Sequence, residues 1–376
     1  MRRSHLVLLT FLLLATMLSL DTRAEEASVT LCDTPVRLNA RKAYISAPSS
    51  KRPCSRQQID AIKRLTKLEY LELDGPGITD DTLRGLPART GLRELALMDT
   101  KVTNAGLRQI ATLSNLRTLD FAREQHLTGA GLHHLEKLPN LEHLIVSMEQ
   151  ATDIGMVHLA DIPNLSTLEI GYTNDEVLQD CSSTKRCFDL AGGHVTNAGL
   201  SKLLDRPIEQ LVLDPGQIDD STLALLARMG SLRGVNCATA RGGVDIDGCF
   251  DFSKASRLTT KALRHLEKLP IRHLELPPSL LDARGMAMIT KLPLKSLNAI
   301  DCRVSGCCQE HCDRLHIDEG SFDLTEIPLD GDDLGLVARF GPSIRTLILS
   351  EGATLTQKAA KRLFALPRLE FLGPPK

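Results

Sequence analysis

The chain has 376 residues, 42% hydrophobic and 24% charged, with no Trp, 3 Tyr, 9 Phe and a net charge of −2. That apolar content excludes a disordered chain, and 45 Lys plus Arg against 47 Asp plus Glu give no global field for nucleic acid or an anionic membrane. With aromatic residues so scarce, Leu, Ile, Val and Ala must fill the core.

Arg2 and Arg3 precede an almost wholly apolar run from Leu6 to Leu20, and Thr22-Arg23-Ala24 then leads into Glu25 and Glu26. A charged start, a short apolar stretch and a small-residue exit predict a secretory signal peptide over 1–24. The run is shorter than the ~20 residues that span a bilayer, so an uncleaved anchor is the weaker alternative. No second stretch is long enough for a membrane helix, and the mature chain is expected to be secreted or periplasmic. An oxidising compartment favours disulfides for the ten cysteines, Cys32, Cys54, Cys181, Cys187, Cys237, Cys249, Cys302, Cys307, Cys308 and Cys312.

From Leu68 onward the pattern L-x-x-L-x-L recurs. Its copies are Leu68/Leu71/Leu73, Leu92/Leu95/Leu97, Leu116/Leu119/Phe121, Leu141/Leu144/Val146 and Leu165/Leu168/Ile170. They continue as Ile208/Leu211/Leu213, Leu232/Val235/Cys237, Ile271/Leu274/Leu276, Leu294/Leu297/Ala299 and Ile344/Leu347/Leu349, with a partial copy at Leu369. Steps between the middle residues are 24, 24, 25, 24, 43, 24, 39, 23, 50 and 25. Seven of the ten lie within one residue of 24, which marks a repeat array. Residues 25–65 lie ahead of the array and are expected to form an N-terminal cap, tied by Cys32–Cys54 and carrying a helix around Ser55–Leu65. The repeat domain is then 66–376.

Between strands, Val102-Thr103-Asn104-Ala105-Gly106-Leu107 has versions at Leu127–Pro139, Val195–Leu204 and Leu258–Pro270. Thr103, Thr128, Thr196 and Thr259 stand where helix N-caps belong, with Leu at helical spacing behind them. Pro139, Pro163, Pro270 and Pro293 stop the helices before the next strand. Each unit is strand, turn, short helix, turn. One unit cannot bury its own apolar face, so neighbours must stack, with a parallel sheet on one side and helices on the other.

This pattern resembles the leucine-rich repeat family over Leu65 to Leu372. The T-[ND]-x-G-L helix start is similar to the secreted bacterial branch, near the ribonuclease-inhibitor-like helical subtype. The resemblance implies an α/β solenoid of about 10–11 repeats, with the sheet on a concave side and helices on a convex side. The family's Asn two residues past the strand is Pro76, Thr100 or Thr173 here. A buried Asn ladder is therefore expected to be absent, with a Thr hydroxyl taking over part of its bonding.

The steps of 43, 39 and 50 place insertions near 174–195, 238–258 and 300–329 on alternate turns. Insertions two turns apart would be ~10 Å from one another, so a second layer along one flank is expected. Cys187-Phe188-Asp189-Leu190, Cys249-Phe250-Asp251-Phe252 and Ser321-Phe322-Asp323-Leu324 are copies of one element. One reading packs Phe188, Phe250 and Phe322 inward, with Asp189, Asp251 and Asp323 bonding loop amides; the other makes the aspartates a column for a cation or a basic partner. Cys181–Cys187 and Cys237–Cys249 would each close an insertion. Cys302, Cys307, Cys308 and Cys312 then pair among themselves in an order the sequence leaves open, with zinc bound beside His311 and His316 as the competing idea. Asp245-Ile246-Asp247-Gly248 and Asp330-Gly331-Asp332-Asp333 lack the ligand set of an EF-hand.

Alternation along each strand turns the residues beside the middle Leu, and those just past the strand, to the concave face. The acidic ones are Glu72, Asp74, Glu94, Asp99, Asp120, Glu169, Asp214, Glu275, Asp301 and Glu351; only Arg123 is basic, with His143 and His273 in register. Tyr70, Met98, Ile145, Met148, Tyr172 and Ile348 offer apolar anchors beside them, and Arg93, Arg117, Arg233, Arg272, Lys295 and Arg345 are expected to form a basic rim. Charges on neighbouring turns lie within the ~8 Å screening length, so their fields add. The expected function is non-catalytic recognition of a protein or peptide with a basic surface. The competing reading has the acids merely keep an open sheet soluble.

No G-x-S-x-G elbow, H-E-x-x-H helix, Walker loop or Rossmann glycine pattern occurs. No cofactor is implied. A structural surface protein or an exported effector is the alternative, and a hydrolase using paired carboxylates such as Glu72 and Glu94 is a more distant one. His133-His134 is expected to be a solvated helix face.

Overall fold

The computed structural model describes residues 28–86, 91–171, 181, 186–237, 247–299, 319–325, 327, 331–350 and 352–373. The signal segment, Tyr172, Thr173, Asp301, Glu351 and the cluster Cys302, Cys307, Cys308 and Cys312 lie outside these residues. The chain forms two compact units. The first takes the described residues as far as Gln150, with Asp161–Leu165 and Gly171; the second takes Ala151–Ala160, Ser166–Ile170 and the described residues from 181 on.

In the first unit, the hairpin β1 (Ser28–Leu31) and β2 (Thr34–Arg37) is antiparallel. Five parallel strands follow: β3 (Lys42–Ser46), β4 (Tyr70–Asp74), β5 (Glu94–Met98), β6 (Thr118–Asp120) and β7 (His143–Val146). Their register sets Ala43, Leu71, Leu95, Leu119 and Leu144 in one buried row. β3 begins the parallel sheet inside the segment expected to be only a cap. Behind it, Ser55 caps the helix Arg56–Asp60, its hydroxyl accepting from the Gln58 amide while the Gln58 side chain accepts from the Ser55 amide. Cys32 and Cys54 are disulfide-bonded.

The second unit has ten parallel strands: β8 (Thr167–Ile170), β9 (Cys187–Asp189), β10 (Gln210–Val212), β11 (Gly234–Val235), β12 (Cys249–Asp251), β13 (His273–Glu275), β14 (Ser296–Asn298), β15 (Ser321–Leu324), β16 (Thr346–Leu349) and β17 (Phe371–Gly373). The three Phe–Asp copies are not a second layer. Phe188 pairs with Leu168 and Leu211, Phe250 with Val235 and Leu274, and Phe322 with Leu297 and Leu347. Each long step therefore contains one more strand, with Phe in the middle-Leu position. All three rings are at most 1% exposed, and burying a large apolar side chain contributes roughly 1.5–3 kcal/mol. The eleven L-x-x-L-x-L copies each supply one strand, and β3, β9, β12 and β15 supply the rest. Disulfides Cys181–Cys187 and Cys237–Cys249 close the approaches to β9 and β12. This repeated strand, turn and short helix is the leucine-rich repeat fold.

The T-[ND]-x-G-L motif couples one repeat to the next. Thr103 and Thr196 cap their own helices through the amides of Ala105 and Ala198. The first helical residue of the preceding repeat then receives the Thr. Asp80 accepts from the Thr103 amide and hydroxyl, Asp153 from both groups of Thr196, and Asp220 from both of Thr259. Asn104 does the same for Thr128, accepting its amide at 3.0 Å and donating to its hydroxyl at 2.9 Å. The motif's glycine makes room: a Cβ on Gly131 would lie 2.2 Å from Asn104 Oδ1, and one on Gly199 would lie 2.5 Å from Asp153 Oδ1. Thr128 and Thr259 are extended at the cap position but make no capping bond of their own.

Past the strands, the bonding of the missing Asn is shared out. Thr100 donates its amide and hydroxyl to the Glu124 carboxylate and accepts from the Val102 amide. The side chains of Gln150 and Gln217 each accept from an amide of their own turn, at Ser147 and Asp214, and donate to two carbonyls of the preceding repeat. Glu124 is 1% exposed, and burial holds its pKa above the ordinary value against the pull of Thr100.

Candidate partner-binding face

In the first unit the strand residues that point away from the leucine row form a grid. Its first line reads Lys42, Tyr70, Glu94, Thr118 and His143, and its second Tyr44, Glu72, Ala96, Asp120 and Ile145. Ser46, Asp74 and Met98 begin a third. The sequence-derived residues Tyr70, Glu72, Glu94, Met98, Asp120 and Ile145 are thus brought onto one face. Tyr44 joins them unforeseen, 57% exposed, because β3 was not legible as a strand. Its ring lies 5.5 Å from that of Tyr70, and Lys42 Nζ sits 5.3 Å from the Tyr70 ring centre. The Tyr70 hydroxyl donates to Glu72 Oε2 at 2.7 Å.

Burial, that bond and the charges of Glu72 and Asp120 raise the Tyr70 pKa. Burial also raises Asp120; the Ala122 amide opposes the shift, and the charge of Glu72 adds to it. Asp74 accepts from the Ser46 hydroxyl. Asp99, held at φ +51°, is ion-paired to Arg123 at 2.6 Å, so the one basic residue of the set is already matched.

The second unit uses its acids differently. Glu169 is 7% exposed and Asp189 1%. Asp189, Asp251 and Asp323 accept from amides two residues on, at Ala191, Ser253 and Thr325, and so bond their own loops. Asp214 accepts from the Gly192 amide and opens the turn Pro215–Gln217. Glu275 stands in register between Asp251 and Asn298. Burial first, and then the Asp251 charge, push it up to about 8; burial raises Asp251 as well. Near neutrality Glu275 is therefore mostly protonated. His273 Nδ1 lies 2.8 Å from Ser296 Oγ, both side chains buried.

Three of the six rim residues are already ion-paired. Arg117 pairs with Glu142, Arg272 with Asp247 and Lys295 with Glu319, and Arg41–Glu69 and Arg186–Glu209 extend the pattern. These exposed pairs contribute little each, ~0–1 kcal/mol. His133 is exposed on its helix with its ring 3.8 Å from that of half-buried His134. Among the described residues no group of three or more His, Cys, Asp or Glu is arranged to hold a metal ion, and no helix is long and apolar enough to cross a membrane.

Several solved structures are similar to the chain. An internalin of Listeria monocytogenes is 14% identical, over 94% of this chain and 93% of its own, with a TM-score of 0.43. Rad7, from its complex with Elc1 in yeast, is 16% identical, over 84% and 83%, with a TM-score of 0.33. TLR13, from its complex with ssRNA13, is 17% identical, over 88% and 43%, with a TM-score of 0.40. The likeness is one of fold. No family model matches the chain, and neither does any curated protein.

Proposed function

We propose that the protein is a non-catalytic binding module that recognises a protein or peptide with a basic surface, and that the strand face of the first unit carries the contact. The observation that supports this is the distribution of unmatched charge. Glu72, Asp74, Glu94 and Asp120 share one face of β4–β6 with Tyr44, Tyr70, Met98 and Ile145, and Arg123 is taken up by Asp99. Neighbouring strands are ~4.8 Å apart, inside the screening length, so these carboxylates act together on an approaching cation. Exposed Tyr44 and half-buried Tyr70 beside them supply area and cation–π attraction at small entropic cost.

The reading includes export. Residues 1–24 have the pattern of a signal peptide, and three disulfides fit an oxidising compartment.

Affinity capture from the compartment where the protein resides tests the proposal, with salt stepped from low to about 0.5 M, where the screening length is only a few ångströms. The bound fraction should fall steeply with salt and should fall in Glu72→Gln/Glu94→Gln. Binding indifferent to both would refute it.

A further inference from the structure

We propose that the helical side of the second unit, around Lys261, Arg284, Lys361, Arg362 and Phe364, docks against an anionic phospholipid surface. The inference concerns different residues from the strand face of the first unit and does not depend on it.

The near-neutral total of the chain hides a local excess. Four helical segments of this unit, Thr260–Lys268, Ala283–Ile289, Asp333–Ser343 and Gln357–Leu363, carry eight Lys or Arg against two acids, Glu267 and Asp333. The helices of the first unit carry five against four. Each of the four segments packs against the next, so the excess lies on one continuous surface. Periodicity turns it outward. Lys261 and Arg264 are three apart in a 3-10 helix, and Lys358, Lys361 and Arg362 stand at i, i+3 and i+4 in an α-helix. Leu263 and Leu266, and Ala359 and Leu363, take the buried sides, and all eight cations are exposed.

The fold makes little use of these charges. Lys358 pairs with Asp332, but the other seven form no ion pair among the described residues. Lys261 and Arg284 stand in the first turn of their helices, where the dipole disfavours a cation. Burial, and then the charges of Arg264 and Lys268, lower the pKa of His265, which lies between them in sequence.

A separate feature indicates the kind of anion. Phe364 is 71% exposed, more than any other large apolar side chain among the described residues, and it follows Arg362 by two positions. Such a ring finds no apolar phase in an anionic polysaccharide. At a bilayer it can enter the headgroup boundary while the neighbouring cations meet lipid phosphates. Packed helices lie ~8–10 Å apart, so cations from several of them can reach one flat surface, each contributing roughly 5-fold to binding.

The test uses the chain from Glu25 onward, because the apolar run before it would itself bind lipid. Sedimentation compares vesicles of phosphatidylcholine alone with vesicles containing about one third phosphatidylglycerol. Binding to the anionic vesicles should be about 10-fold or more tighter, and should fall about 10-fold between 0.1 and 0.5 M salt. Lys361→Glu/Arg362→Glu should weaken it about 20-fold, Lys261→Gln/Arg284→Gln about 10-fold and Phe364→Ser about 3-fold. Glu72→Gln/Glu94→Gln should not weaken it. Circular dichroism confirms that each variant folds. Equal binding to the two kinds of vesicle, or binding unmoved by both charge variants, would overturn the proposal. So would displacement by heparin or poly(U) with Phe364→Ser indistinguishable from wild type, which would point to an anionic polymer instead.

Discussion

Replacing Glu275 by Gln should stabilise the protein above pH 8 and flatten its pH dependence. Glu275 lies in register with Asp251 on one side and Asn298 on the other. Asp251 already takes the amide and hydroxyl of Ser253, and Lys254 is the nearby cation acting on both carboxyls. His273 shares the face but is engaged with Ser296, and Asp323 lies two strands away beyond Asn298. A carboxyl at about 8 when folded, against 4.5 ordinarily, keeps a proton that the unfolded chain releases. Its contribution is therefore complete below pH ~4.5 and lost as pH rises through 8. Titrating alone, it would cost up to ~5 kcal/mol by pH 9; sharing the charge with Asp251 and admitting water reduce that to ~2–3 kcal/mol. Gln keeps the shape and hydrogen-bonding capacity toward Asn298 without the ionisation. Urea denaturation at pH 6 and pH 9 reads the effect, together with amide exchange in the β13 peptide, because a repeat array need not unfold in one step. Wild type should lose ~1–1.5 kcal/mol more than the variant between those pH values, the rest of the cost having accrued between pH 4.5 and 6. Parallel pH profiles for the two proteins would refute the reasoning.

Asp153→Ala removes three bonds, from the Thr196 amide and hydroxyl and the Gly199 amide, and should cost ~1.5–3 kcal/mol at pH 7, read as faster amide exchange in 196–200. Burial alone would raise the Asp153 pKa, but these donors outweigh it and hold it below the ordinary value, so the penalty should shrink as the pH falls below ~4. Gly285→Ala should be worse than Gly131→Ala in thermal melts: the new methyl would lie 1.8 Å from the Leu280 carbonyl oxygen, part of the backbone, but meets only the movable Asn104 side chain at Gly131. Phe250→Ala should cost ~3–5 kcal/mol in denaturant, whereas Phe188→Leu, which restores the ordinary strand residue, should cost less than ~1.5 kcal/mol. Near-neutral results for Phe250→Ala would mean the element is peripheral after all.

The aliphatic rows were legible because one residue type recurs at one spacing. The elements that escaped share a physical reason. In β9, β12 and β15 the middle position is Phe, which satisfies the same burial requirement but breaks a pattern written in Leu; the second half, F-D-L or F-D-F, was the available signal. β3 was hidden because Ala43 and Ile45 fill the two inward sites, so neither position of the strand carries the Leu by which the pattern is recognised. Gln150 and Gln217 stand six residues past the middle strand residue, while Thr100 and Glu124 stand five past it. The turn thus absorbs a one-residue shift that a fixed-spacing search cannot follow.

Charge was the hardest property to read, because composition counts side chains and not what they bond. Ten acids against one arginine suggested a uniformly negative face. In the described part of the second unit, however, the fold uses several acids itself: of the ten, Asp214 holds Gly192 and Glu275 keeps a proton, and beside them Asp189, Asp251 and Asp323 tie their own turns. A residue used this way offers little to a partner, since binding it elsewhere would first cost the bond it already makes. In the first unit the accounting leaves a remainder. The fold gives no reason for a tyrosine at position 44 to stand mostly in solvent, nor for Glu94 to be exposed beside Tyr70 and Thr118 on the same face. Side chains that folding does not require are the ones available for recognition, and here they gather on β3–β6.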